Sequence, residues 1–190
     1  MTGTVSACPT LTTERLTMRP FRVGDLDRFH AIMASDEVRA PLRLPEGFGR
    51  EDAWRSLTSH AGLWELRGLG QWAIDERVSG RFVGRAGLYW RVEPDWPGVE
   101  VGWMLDPAVW RHGYATEAGA RAVRYGFEDV GEDVLYSVIL PGNTRSEAVA
   151  GRLGFTPFDE RTLSFFPAEP HVVWRLDRST WETVRSSLGP

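Results

Sequence analysis

Lysine is absent from this 190-residue chain, and all 22 of its basic residues are arginine. That excludes a Schiff-base lysine and a P-loop lysine, so whatever chemistry the chain performs is lysine-free. Cysteine is almost absent too. Cys8 stands alone in a Thr/Ser-rich leader, so one chain can form neither a disulfide nor a multi-cysteine metal site, and a reducing compartment is expected. No apolar run approaches the roughly 18 residues needed to cross a bilayer. Residues 1–9 lack the basic and apolar regions of a signal peptide, so the expected location is cytoplasmic, with no membrane partner. An excess of positive charge is missing as well. A net charge of −4 argues against nucleic acid, which calls for a basic face or tail, and leaves a cationic partner such as an amine easier to accommodate. A Gly-x-Gly-x-x-Gly turn after an N-terminal strand is not found, which removes a dinucleotide-binding fold.

What is present is ordinary for a globular domain, with 42% hydrophobic and 25% charged residues. We expect a loose tail over 1–10 and one domain over 11–190. Residues 11–19 alternate as a strand that Pro20 ends. The spacing of Leu26, Phe29, Ile32 and Met33 predicts a helix over 25–34, and that of Trp54, Leu57, Ala61 and Trp64 another over 50–67. The loop between them, 39–49, carries Pro41, Pro45, Gly47 and Gly49, so it reads as irregular and placed to border a substrate groove. Runs 71–75 and 81–92 read as strands joined around Ser79-Gly80, and 99–105 as a further strand.

The second half alternates helix and strand. A helix is expected over 116–130, where small and apolar residues, with Ala115 just before it, form one stripe opposite Glu117, Arg121, Arg124 and Glu128. A strand at 135–140 precedes a helix over 144–153, with Asn143 as N-cap and Gly154 just past its end. Phe155 restarts a strand, 171–176 reads as the last strand, and Ser179-Thr-Trp-Glu182 is a capping-box signature for a final helix. The strands flanking the long helix should be parallel neighbours, with hairpins adding antiparallel pairs in a mixed α/β sheet.

One run concentrates the chemistry. Val99-Glu-Val-Gly-Trp-Met-Leu-Asp106 leads into Pro107-Ala-Val-Trp-Arg-His-Gly-Tyr-Ala-Thr-Glu-Ala118, a glycine-containing turn that opens onto a helix. Such a turn gathers backbone N–H donors at the positive end of a helix dipole and suits a phosphate or pyrophosphate. Glu100 is a lone carboxylate between Val99 and Val101 in a buried-looking strand. Desolvation there would raise its pKa toward the range useful to a general base. A structural ion pair with one of the arginines is the other reading of the same residue. By the same plain reading His112 is a solvent-facing turn residue, and Asn143 with Ser146 is a helix cap followed by a first-turn serine.

Together with Asn143-Thr-Arg-Ser146 and Leu153-Gly-Phe155, this run resembles the GNAT family of acyl-CoA N-acyltransferases, and its details resemble the RimJ/RimL-like ribosomal-protein alanine acetyltransferase branch. The family's pyrophosphate turn, Gln/Arg-x-x-Gly-x-Gly/Ala, is matched by Trp110-Arg-His-Gly113-Tyr-Ala115, with Trp in the first position. The resemblance implies an α/β GNAT fold, with a mixed, mostly antiparallel sheet of about seven strands, a splayed parallel pair at the CoA site and flanking helices. It implies acetyl-CoA as co-substrate and no metal. Arg111, His112, Gly113, Tyr114, Ala115 and Thr116 become the pyrophosphate-binding candidates, with Trp103, Met104 and Leu105 along the pantetheine arm. Glu100 matches the family's basic carboxylate. Asn143 matches a ligand-contacting asparagine and Ser146 the acid that protonates the departing thiolate, a part taken in other branches by a downstream Tyr that this chain lacks after Tyr136.

The chain departs from the branch where Glu-Gly often follows Gly-Phe. It carries Phe158-Asp159 there and Phe165-Phe166-Pro167 in what reads as a compact loop near the acceptor site. The resemblance therefore implies an enzyme that acetylates a primary amine in a ternary complex. The acceptor is a peptide or protein N-terminus or a small molecule. A noncatalytic acyl-CoA-binding sensor or interaction module remains the alternative, and assembly as a homodimer stays open.

Overall fold

The computed structural model describes residues 8–187, so most of the expected 1–10 tail lies outside the described residues. The expected strand over 11–19 is two strands, β1 (Leu11–Thr12) and β2 (Leu16–Arg19), folded back on each other with Leu11 opposite Met18. The break comes from tertiary contacts. Thr13 N–H closes the turn onto Leu16 O (3.0 Å), while Thr13 Oγ1 and Arg15 N–H both donate to Glu117, more than a hundred residues away (2.5 and 2.8 Å).

Helix α1 (Leu26–Ala34) buries the four residues its spacing selected, and after a short turn α2 (Asp36–Arg39) the irregular loop leads to α3 (Arg50–Arg67). Strands β3 (Gln71–Glu76), β4 (Phe82–Tyr89) and β5 (Glu100–Leu105) follow as an antiparallel meander. Helix α4 (Tyr114–Tyr125) starts two residues earlier than expected and gives way to a π-helical turn at Gly126–Val130. β6 (Val134–Ile139) and α5 (Thr144–Arg152) come next, with Asn143 capping α5 as expected by accepting from Ser146 N–H (3.3 Å).

The compact loop expected around Phe165 to Pro167 is instead a long hairpin of β7 (Thr156–Leu163) and β8 (Phe166–Asp177), antiparallel from Thr156 opposite Arg175 to Leu163 opposite Phe166. The final helix α6 (Arg178–Val184) has Asp177 at its N-cap, without a side-chain capping bond, so the Ser179 capping box is not the start of the helix. The sheet thus has eight strands among the described residues, in the order β1-β2-β3-β4-β5-β6-β8-β7. Every neighbouring pair is antiparallel except β5 with β6.

Two cores cover the sheet. Ala118, Ala122, Val149 and Trp181 from α4, α5 and α6 pack with Val101 and Leu105 in one, while Leu26, Phe29, Ala53 and Leu57 from α1 and α3 pack with Met104 in the other. Alternate residues of β5 therefore serve opposite faces.

Candidate active site

The site forms where β5 and β6 part. Their ladder is recorded at Glu100 opposite Tyr136, with Tyr136 N–H donating to Val99 O (3.0 Å). A continued parallel ladder would next offer Val138 N–H a carbonyl on β5. It finds the Glu100 carboxylate instead, in a long hydrogen bond of 3.4 Å. At the other end of β5, Asp106 N–H donates to Val83 O (2.8 Å). Backbone directions alternate along a strand, and both ends give the same parity. Trp103 and Leu105 turn their backbone groups toward the gap, whereas Met104 turns its own toward β4. Of the expected pantetheine contacts, backbone pairing therefore suits Trp103 and Leu105 and not Met104, whose side chain packs in the core under α1 and α3.

The turn after β5 is built by local bonds. Asp106 is buried, accepts from Ala108 N–H (3.0 Å) and pairs with Arg28 of α1. Trp110 donates its indole N–H to Leu105 O (2.9 Å), and Arg145 of α5 lies 4.0 Å over the Trp110 ring. Arg111 (φ 67°) and Gly113 (φ 81°) both occupy the left-handed region, which costs a non-glycine residue about 1 kcal/mol. Gly113 is the N-cap of α4, so the N–H groups of Tyr114, Ala115 and Thr116 have no intrahelical acceptor.

These groups open onto a cavity of about 820 Å³. Trp103, Met104, Leu105, Arg111 and Gly113 line it, as do Tyr114, Ala115, Thr116, Asn143 and Ser146. His112 does not. Its ring turns back to Val109 O (3.1 Å) and its carbonyl accepts from Arg15 Nη1 (2.7 Å), which leaves it a brace of the turn. Arg15, Arg121, Arg124 and Arg152 add guanidinium groups to the cavity wall.

A second cavity, of about 240 Å³, adjoins the first, and Trp103, Asn143 and Ser146 line both. Glu100 faces the second, where burial pushes its carboxyl up to about 7 against the pull of Val138 N–H, Arg85 and Arg91. Pro41 and Leu42 of the irregular loop line both cavities at their junction. Phe165, Phe166 and His171 of the β7–β8 hairpin close the outer wall, whereas Phe158 is exposed and packs with Arg175.

The comparison with known families settles what kind of protein carries this site, since the Acetyltransferase (GNAT) domain matches residues 15–156. The chain belongs to the GNAT acetyltransferase family. Among relatives of this GNAT chain is the uncharacterized N-acetyltransferase YoaA of Bacillus subtilis (strain 168), 28% identical over 148 residues, which are 77% of this chain and 82% of that protein. The acetyltransferase from Agrobacterium tumefaciens str. C58 superposes with a TM-score of 0.78 at 30% identity, over 90% of this chain and 95% of that one. The ribosomal-protein-S5-alanine acetyltransferase from Vibrio fischeri superposes at 0.71 over 91% and 98%, and at 14% identity that likeness is one of fold. The eight-stranded sheet with one parallel pair is the GNAT fold.

Sequence reasoning did not single out Gln71, Arg85, Arg91 or His60, all of which line the second cavity of the GNAT domain. A signal existed for Arg85. It is the one charged residue in Phe82-Val-Gly-Arg-Ala-Gly-Leu-Tyr89, and the argument applied to Glu100 in its apolar strand applies equally there.

Proposed function

We propose that this GNAT acetyltransferase moves the acetyl group of acetyl-CoA directly to a primary amine held in the second cavity. The observation that carries the reading is the junction of the two cavities. A large, arginine-walled groove ends in free helix N–H donors, and it meets at Trp103, Asn143 and Ser146 a small chamber holding a carboxylate of near-neutral pKa. The donors of Gly113 to Thr116 and the surrounding guanidiniums suit the pyrophosphate of CoA, while the gap-facing backbone of Trp103 and Leu105 suits the amides of its pantetheine arm.

The amine reaches the site protonated and gives up one proton to solvent, which leaves Glu100 ionised. Its nitrogen then attacks the thioester carbonyl carbon, forming the C–N bond, and Leu105 N–H is placed to stabilise the oxyanion. Collapse breaks the C–S bond. Glu100, directly or through water, takes the second nitrogen proton, and Ser146 gives a proton to the departing thiolate and is reprotonated from solvent. The products are the acetamide and CoA. The acceptor is a protein N-terminal amine or a small-molecule amine; the Vibrio fischeri protein of the same fold is named for an alanine of ribosomal protein S5.

Calorimetric titration with CoA, paired with thiol release over a panel of amines, tests the reading. Gly113→Glu forces a side chain onto a left-handed φ and adds negative charge at the turn, so CoA affinity should fall at least tenfold, about 1.4 kcal/mol. A folded variant that binds like wild type places the phosphates elsewhere. Wild-type protein that binds CoA yet releases no thiol with any amine acts as an acyl-CoA-binding module.

A further inference from the structure

The floor of the second cavity is a row of polar side chains across the sheet. The Glu100 carboxylate lies over Gly102, where a Cβ would stand 3.9 Å from its Oε1 and only 3.0 Å from the Gln71 amide nitrogen. Gln71, itself buried, accepts on its Oε1 from Arg85 Nη1. The row therefore runs Glu100, Gln71, Arg85, and it exists because position 102 carries no side chain to fill the space between them.

Arg85 is the member with no carboxylate in contact, Glu100 acting on it only across the row. Its hydrogen-bond partner is a neutral amide, its Nε is buried without an acceptor, and among the described residues it forms no ion pair. Arg91, on the same wall, pairs with Glu93 (3.3 Å) and lies over the Phe165 ring. His60 is kept neutral by burial and by Arg85, and His171 is also drawn toward its neutral form by burial. Glu100 is the only carboxylate lining the chamber among the described residues, and it loses its charge whenever it takes the amine's proton. At that moment Arg85 is an uncompensated guanidinium inside a small, aromatic-walled space, an expensive arrangement unless something anionic is bound beside it. A polycationic amine would worsen it.

Building on the acetyl-transfer reading of the same site, we propose that the acceptor is a small aminocarboxylate. Its carboxylate pairs with the Arg85 guanidinium and its amine lies toward Glu100 and the junction at Ser146. Arg85 stands opposite Met104 and Glu100 opposite Tyr89, four residues further along the ladder, so the two ends of the acceptor lie along the strand direction. Tyr89, Trp96, Phe165 and Phe166 line the chamber and offer its carbon skeleton apolar contact. The reaction is the one already written, with the carboxylate a spectator held in place.

Matched acceptors test this in wild-type protein, where the folding of a variant is not at issue. Thiol release is measured at saturating acetyl-CoA with α- and ω-amino acids, with the carboxamide of each, with diamines and polyamines, and with short N-terminal peptides. Rates are normalised to the free-base fraction of each amine. At least one amino acid should exceed its own carboxamide by tenfold or more in kcat/KM, chiefly through KM. Arg85→Gln should reduce that ratio to about threefold or less, and Arg85→Lys should recover part of it. If amides, polyamines or peptides serve as well as the acids, the carboxylate assignment fails while acetyl transfer stands. If CoA binds and no acceptor of any class releases thiol, acetyl transfer fails and this assignment with it.

Discussion

With its carboxyl pushed up to about 7 by burial, Glu100 holds a proton in the folded chain at pH values where the unfolded chain, at its ordinary 4.5, has already lost it. Between those two values the native state binds more protons, so its stability falls as pH rises and levels off above about 7. Gln keeps the shape and an acceptor for Val138 N–H but cannot ionise. Glu100→Gln should therefore match wild type below about pH 4.5 and exceed it by up to about 3 kcal/mol above pH 7, as read from urea midpoints at both ends. The same change should lower turnover by about 10²–10⁴ and remove the acidic limb of the pH–rate profile, whose midpoint lies near 7 in wild type. Equal stability at high pH would mean that the ionised carboxylate is not penalised in the fold. Retention of the acidic limb would assign the proton to another group. Ser146→Ala should cost less than Glu100→Gln, with a defect that shrinks as pH falls, because solvent can protonate the thiolate.

Helix α1 is held to the sheet by charge as well as by its apolar face. Arg19 of β2 reaches Asp25, just before the helix, through both terminal nitrogens (2.8 and 2.7 Å), and Asp75 of β3 through Nε and Nη2 (2.5 and 2.8 Å). Arg19 and Asp25 are buried, so Arg19→Ala would strand two carboxylates, at a cost of about 3–5 kcal/mol. Met33 of α1 lines the second cavity, the one proposed for the acceptor, whereas the turn proposed for CoA rests on α4 and the Arg15–Glu117 pair. Loss of the α1 tether should thus raise the acceptor KM before CoA affinity changes, provided both are measured where the variant is still folded. The opposite order would show that α1 serves stability alone.

Across the whole molecule, one gap in one sheet joins the cavity suited to the donor with the cavity suited to the acceptor, which favours transfer without a covalent intermediate. The only thiol lies elsewhere. Cys8 lines neither cavity and packs against the α4-side core, and burial pushes its pKa up to about 12, far from thiolate reactivity. Initial rates with both substrates varied should give intersecting double-reciprocal lines. Intact mass after incubation with acetyl-CoA alone should show no acetyl adduct, and Cys8→Ser should leave both results unchanged. Parallel lines with an adduct would require an acyl-enzyme and a nucleophile not assigned above.

Much of this was legible in the chain because it depends on near neighbours. The periodicity of Leu26, Phe29, Ile32 and Met33 fixes a buried helical face, Asn143 caps the helix it precedes, Gly113 marks a left-handed turn, and a lone carboxylate between valines is costly wherever the strand is buried. Other features depend on partners far away in sequence. The 11–19 run breaks because Glu117 captures Thr13 and Arg15, and the residues around Phe166 extend into β8 because β7 supplies a ladder. Met104 differs from Leu105 only through the parity set by Asp106 and Val99, and His112 leaves the cavity because Val109 O and Arg15 hold it back. The sequence by itself determined most of the helices and strands, the turn and the costly charge at Glu100. Only the tertiary structure decided that Arg85, Gln71 and Glu100 share one floor, since strand order and register bring together residues that no local pattern connects.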